Sequence, residues 1–144
     1  MPPGQAERSL RTRNHILVGV LVLAVILIAV LLAALLPGVF HDLGISVISI
    51  EGVIVTGGSG KGYAGSVTVG DAIRDAANDP MVDAIVLRVN SPGGTPAGAQ
   101  EIIADIVYAK ERKPVVVSMG DIATSSAYYV SAYADRIYAS PDTI

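Results

Sequence analysis

The chain has 144 residues, 51% of them hydrophobic, no cysteine and a net charge of −3. The lack of cysteine excludes disulfides, thiolate metal sites and cysteine nucleophiles, and the acidic balance argues against a nucleic-acid partner. Its two histidines, His15 and His41, both flank one apolar segment, so neither a His-rich metal site nor a Ser-His-Asp triad is available within these residues.

Residues 1–15 carry Arg8, Arg11 and Arg13 against the single acid Glu7, which marks a cytoplasmic tail by the positive-inside rule. Residues 16–36 hold 21 positions without a charge, about 31 Å of helix and enough to span a bilayer. A cleaved signal peptide would have a shorter apolar run ending in small residues at an A-x-A-like site. This run closes on Leu35-Leu36-Pro37-Gly38, so an uncleaved single-pass signal anchor is expected. Residues 37–44 then read as a juxtamembrane connector, and residues 45–144 as a domain outside the cytoplasm.

Ile45 to Val55 reads as a buried strand, rich in Ile and Val. Gly57 to Gly65 has five glycines in nine residues and is expected to be a mobile loop carrying Lys61 and Tyr63. A phosphate-binding loop is disfavoured there, because no Gly-Lys-Ser/Thr follows and no helix is expected to start at once. The spacing predicts a helix over 68–77, ended by Asn78-Asp79-Pro80, and a strand over 82–89. Asn90-Ser91-Pro92-Gly93-Gly94 reads as a tight turn, with Thr95 as N-cap and Pro96 at N1 of the next helix. That helix stops near Lys113-Pro114. A strand over 115–119, a turn over 120–124, a helix over 125–134 and a strand over 136–139 complete the pattern. Strands alternating with helices imply an α/β domain with a mostly parallel sheet. The continuous apolar runs of its strands are those expected when helices cover both faces.

In such sheets, sites form beyond the carboxyl ends of strands. Two loops leave such ends, Ser91-Pro92-Gly93-Gly94 and Asp121 to Ser126, and they face each other if their strands are neighbours. Paired glycines let backbone N–H groups approach a ligand oxygen, as an oxyanion hole requires, although Pro-Gly-Gly alone is equally a sharp turn. Ser125 and Ser126 fall at a helix N-terminus, where the dipole favours negative charge but where a serine is ordinarily a cap. A serine nucleophile without histidine calls for a lysine base held neutral by burial. Lys110 and Lys113 end a helix and look solvated, and Lys61 sits on a glycine loop, so none of the three is a convincing base.

Several segments together resemble the signal peptide peptidase A family of membrane-anchored serine peptidases. They are Ile85-Val86-Leu87-Arg88-Val89-Asn90-Ser91-Pro92-Gly93-Gly94, Lys113-Pro114-Val115-Val116-Val117-Ser118-Met119-Gly120-Asp121, Ala123-Thr124-Ser125-Ser126-Ala127-Tyr128-Tyr129, and the closing stretch from Ala134 to Thr143. The resemblance implies a crotonase-like fold related to the Clp protease. It further implies a Ser-Lys dyad that degrades signal peptides and other short apolar peptides at the membrane, with subunits assembled as homo-oligomers. By position Ser125 is then the nucleophile, with the N–H groups of Gly94 and Ser126 as the oxyanion hole and Ser91, Pro92 and Gly93 as the supporting loop. The family usually has glycine where Ser126 and Ala127 stand. Its base lysine lies tens of residues after the nucleophile, so these residues read as the N-terminal part of a longer enzyme, inert alone. No metal or cofactor is expected. The alternative is a membrane-anchored protein of the same fold that no longer cleaves and serves as a scaffold; a CoA-thioester enzyme rests on fold analogy alone.

Overall fold

The computed structural model describes the backbone of residues 4–35 and 44–144 and the side chains of residues 15–34 and 44–144. They fall into two units that divide between Asp42 and Leu43. The connector expected over 37–44 lies outside the described residues, apart from Gly44, as do the side chains of Arg8, Arg11 and Arg13.

The first unit contains one helix, α1 (Gly4–Leu35). Its stretch His15–Ala34 has a mean hydropathy of 3.5 and no buried residue. With no core to bury it, a face-independent apolar helix of this length suits a bilayer, and it is the one helix among the described residues long and apolar enough to cross a membrane.

The second unit is α/β. A four-stranded sheet runs in the order β1 (Ile45–Glu51), β4 (Ala84–Ser91), β5 (Val115–Ala123) and β6 (Arg136–Tyr138), all parallel. The helices α2 (Ser66–Asn78), α3 (Pro96–Lys110) and α4 (Ser126–Ser131) connect them. One strand was expected over Ile45 to Val55, but Gly52, with φ +81°, breaks it. Beyond Gly52, β2 (Val53–Val55) leaves the main sheet and pairs in parallel with β3 (Tyr63–Gly65).

Strand residues alternate in burial. Ile48, Ile50, Ile85, Leu87, Val89, Val115 and Val117 are buried, and they form one core with Val69, Ile73, Ile102, Ile103, Ile106 and Val130 from the helices. The alternate positions Val47, Val86 and Val116 lie side by side in register and are exposed or half-buried. The expectation of helices on both faces is therefore corrected. Among the described residues, burial is one-sided, and the apolar runs of the strands do not reveal it because Val and Ile occur on both faces.

The glycine loop is tied by side-chain hydrogen bonds within itself and to the start of α2. The Gly57 N–H donates to the Ser66 hydroxyl (3.2 Å), the Ser59 N–H to the Thr68 hydroxyl (2.9 Å) and the Gly65 N–H to the Ser59 hydroxyl (2.9 Å). Helix α2 begins at Ser66, directly after β3, two residues earlier than its apolar periodicity indicates. Helix α3 starts as expected: the Thr95 hydroxyl accepts from the Gly98 N–H (3.2 Å), with Pro96 in the first turn.

Candidate active site

Strands β4 and β5 are neighbours, so the two loops at their carboxyl ends meet. The Thr124 N–H donates to the Ser91 carbonyl (3.2 Å) and the Thr124 hydroxyl to the Pro92 carbonyl (3.0 Å). Ser91 is fully buried and its hydroxyl accepts from the Gly93 N–H (3.0 Å), which braces the turn from inside. A loop of Pro and Gly is thereby fixed against the segment that carries Ser125.

Ser125 precedes α4, yet it does not behave as a cap. Its side chain makes no capping hydrogen bond, and its φ of +53° and ψ of −126° lie far from the extended values of ordinary N-caps. It is the one non-glycine residue with positive φ among those described. Backbone of this kind costs on the order of 1–3 kcal/mol and persists only where surrounding structure holds it. The side chain is exposed. Ser125 thus carries strain and leaves its hydroxyl without a capping task.

Ser126 differs. It is buried, and its hydroxyl has no hydrogen-bond partner among the described residues. Its N–H opens the first turn of α4, where no intrahelical acceptor is available; the Thr124 carbonyl accepts from Ala127 (3.0 Å) and the Ser125 carbonyl from Tyr129 (3.0 Å).

The two glycines of the first loop have different neighbours. Gly93 has φ +98°, and a Cβ built on it would stand 2.7 Å from the Ser125 Cβ and 3.0 Å from the Ser126 nitrogen. Gly94 instead backs onto β2. The Ile54 N–H donates to the Gly93 carbonyl (2.9 Å) and the Thr95 N–H to the Ile54 carbonyl (2.8 Å), a ladder that leaves out the Gly94 N–H. A Cβ on Gly94 would overlap the Ile54 main chain.

Asn90, to which sequence reasoning gave no role beyond the turn, lies inside β4. Its Oδ1 accepts from the Asp121 N–H (3.1 Å) and the Ile122 N–H (3.2 Å). Those two residues were expected in a turn but belong to β5. The only sequence signal was that an amide-bearing side chain falls at the end of an apolar strand.

The lysines are engaged elsewhere or distant in kind. Lys110 Nζ donates to the Tyr133 carbonyl (2.7 Å) and pairs with Asp135 (3.2 Å), and Lys113 Nζ donates to the Ala76 carbonyl (2.7 Å) and to the Asp79 carbonyl. Lys61 is exposed on the glycine loop. Among the described residues no group of three or more His, Cys, Asp or Glu could hold a metal ion.

The model of peptidase family S49 matches residues 108–144, the stretch that contains Ser125. Protease 4 of Salmonella typhi is 48% identical over 101 residues, which take in 69% of this chain and 16% of that protein. Protease 4 of Haemophilus influenzae is 44% identical over 102 residues, again 69% of this chain and 16% of that protein. The chain thus spans about a sixth of the length of these curated relatives. Among solved structures, a mutant form of the 1510-N membrane-bound stomatin-specific protease superposes with a TM-score of 0.55 at 21% identity, covering 72% of this chain and 46% of that one. That likeness shows that the α/β unit shares the fold of that protein.

Proposed function

We propose that the chain is a member of peptidase family S49, whose model matches residues 108–144, and that it serves as a membrane-anchored serine endopeptidase with Ser125 as the nucleophile. The supporting observation is the backbone of Ser125: strained, exposed, free of a capping bond and packed against Gly93. A serine that merely capped α4 would adopt an extended φ and ψ and bond to the first turn.

In this reading Ser125 Oγ attacks a peptide carbonyl. The developing oxyanion is met by the N–H groups of Gly94 and Ser126, each left out of the local hydrogen-bond ladder, and such donors lower the barrier by about 2.7–4 kcal/mol each. Ser91, Pro92 and Gly93 hold the first loop in place. The base is a lysine other than Lys61, Lys110 and Lys113, because a base must be desolvated to be neutral near pH 7, and two of these donate to backbone carbonyls. The family resemblance supports a lysine supplied from outside these residues, substrates that are signal peptides and other short apolar peptides, and assembly as a homo-oligomer.

Residues 16–36 serve as the span, with 1–15 in the cytoplasm and 45–144 on the other side, a reading supported by α1 and by the arginines that precede it. Enzymatic reporters fused after Ile144 should be active only when they function outside the cytoplasm; activity of a strictly cytoplasmic reporter would reverse the orientation.

The test of the chemistry is labelling of the full-length protein by a fluorophosphonate. Labelling at Ser125, lost in Ser125→Ala, is the expected result. An unreactive protein with intact fold would favour the scaffold reading.

A further inference from the structure

The register between β4 and β5 changes just before the site. Val89 pairs with Met119, but Ser91 pairs with Ala123. Over this interval β4 advances by Asn90 and Ser91, whereas β5 advances by Gly120, Asp121, Ile122 and Ala123. Strand β5 therefore carries two extra residues, an irregularity of the kind that re-aims side chains beside active sites. Ser125 follows two residues later.

An excursion of this kind strands backbone donors that the ladder would have satisfied. Here both are taken by one atom. Asn90 Oδ1 accepts from the Asp121 N–H and the Ile122 N–H at 3.1 and 3.2 Å. Gly120 lies against the same amide: a Cβ built on it would stand 2.8 Å from Asn90 Oδ1. On the outer side, the Thr143 hydroxyl donates to the Gly120 carbonyl (2.9 Å) and the Ile144 N–H to the Asp121 carbonyl (3.1 Å). The excursion is clamped from both flanks, and regular pairing resumes where the Thr124 N–H reaches the Ser91 carbonyl.

We propose that Asn90 is a positioning residue for Ser125: its side-chain oxygen holds the two-residue excursion of β5 at the height that brings Ser125 against Gly93. The proposal rests on the reading of Ser125 as the nucleophile. The requirement is for an acceptor of two N–H groups at the end of a short side chain. Aspartate meets it; leucine, of similar size, does not. Adding a methyl group at Gly120 presses on the same amide from the other side without replacing Asn90.

The experiment compares Asn90→Asp, Asn90→Leu and Gly120→Ala in the full-length protein by two readouts. One is hydrogen exchange of the peptide spanning Gly120–Thr124; the other is the rate of fluorophosphonate labelling at Ser125. In Asn90→Leu and Gly120→Ala, exchange should quicken and labelling slow by about 10- to 100-fold, the effect of misplacing a reacting group by about 1 Å. Asn90→Asp should stay within about threefold of the parent in both, a rescue that a purely packing role does not produce. Should Asn90→Leu fail to fold, Gly120→Ala and Asn90→Asp decide. Parent-like labelling and exchange in Gly120→Ala, or an Asn90→Asp as slow as Asn90→Leu, would overturn the proposal. A parent protein that does not label, but whose 120–124 segment loses protection only in Asn90→Leu and Gly120→Ala, would sink the Ser125 reading and leave the clamp supported.

Discussion

Gly93 and Ser125 touch through the space where a side chain on Gly93 would be: a Cβ there would come within 2.7 Å of the Ser125 Cβ and 2.8 Å of the Thr124 carbonyl oxygen. Gly93 also holds φ +98°, a conformation that costs an alanine about 1–2 kcal/mol before any overlap is counted. Gly93→Ala should therefore lower stability by about 2 kcal/mol or more and displace Ser125. Denaturant unfolding and the labelling rate together check this. A variant that labels at the parent rate would show that the contact does not set the serine's position.

Gly94 is expected to resist substitution as well, but for a reason that only the packing reveals. A side chain there runs into the main chain of Ile54, 2.6 Å from that residue's nitrogen. Gly94→Ala should accordingly break the join between β2 and the first loop and show up first as a lower unfolding midpoint. A fully stable but inactive Gly94→Ala would instead mean that the side chain blocks the proposed oxyanion hole.

Ser125 and Ser126 should respond in opposite ways to truncation. Ser125→Gly removes the proposed nucleophile and relieves the strained backbone, so hydrolysis should vanish while stability rises by about 1 kcal/mol. Ser126→Ala removes a buried hydroxyl that has no partner, a group that costs about 1–3 kcal/mol to bury unpaired. That variant should be at least as stable as the parent and should retain Ser125 labelling. Loss of labelling in Ser126→Ala, together with its survival in Ser125→Ala, would exchange the roles of the two serines.

Asp135 ties the start of β5 to the turn before β6. Its carboxylate accepts the Val115 N–H (2.8 Å) and lies 3.2 Å from Lys110 Nζ. The backbone hydrogen bond chiefly, and Lys110 in addition, hold its carboxyl below the usual carboxylate range, with slight burial opposing them. Because the folded value lies below an unfolded value of about 3.9, the stabilisation is complete above about pH 4 and fades as pH falls through the folded value. The group is exposed, so the effect should be small and should shrink with salt. Denaturant midpoints at about pH 3 and about pH 6 should differ less in Asp135→Asn than in the parent; an unchanged difference would remove Asp135 from the account.

Local chemistry alone settled several features. Charge-free residues 16–35 form a long apolar helix, and Thr95-Pro96 starts α3 where a capping hydroxyl and a fixed φ require it. Cysteine and histidine usage excluded a thiol nucleophile and a Ser-His-Asp triad within these residues, and the strand-helix alternation gave a parallel sheet. Each of these depends on neighbours a few residues apart. The remaining features depend on segments from 10 residues apart (Val53 and Tyr63) to 32 apart (Asn90 and Ile122) in sequence and came only from their packing. The break at Gly52 appears because β2 finds a partner in β3, the extension of β5 because Asn90 satisfies its stranded N–H groups, and the one-sided burial because the helices gather on a single face. Above all, the sequence Thr124-Ser125-Ser126 reads as an ordinary cap, since nothing local demands a positive φ. The conformation of Ser125 exists because hydrogen bonds from Thr124 to Ser91 and Pro92, and the absence of a side chain on Gly93, hold the backbone where it would not rest by itself.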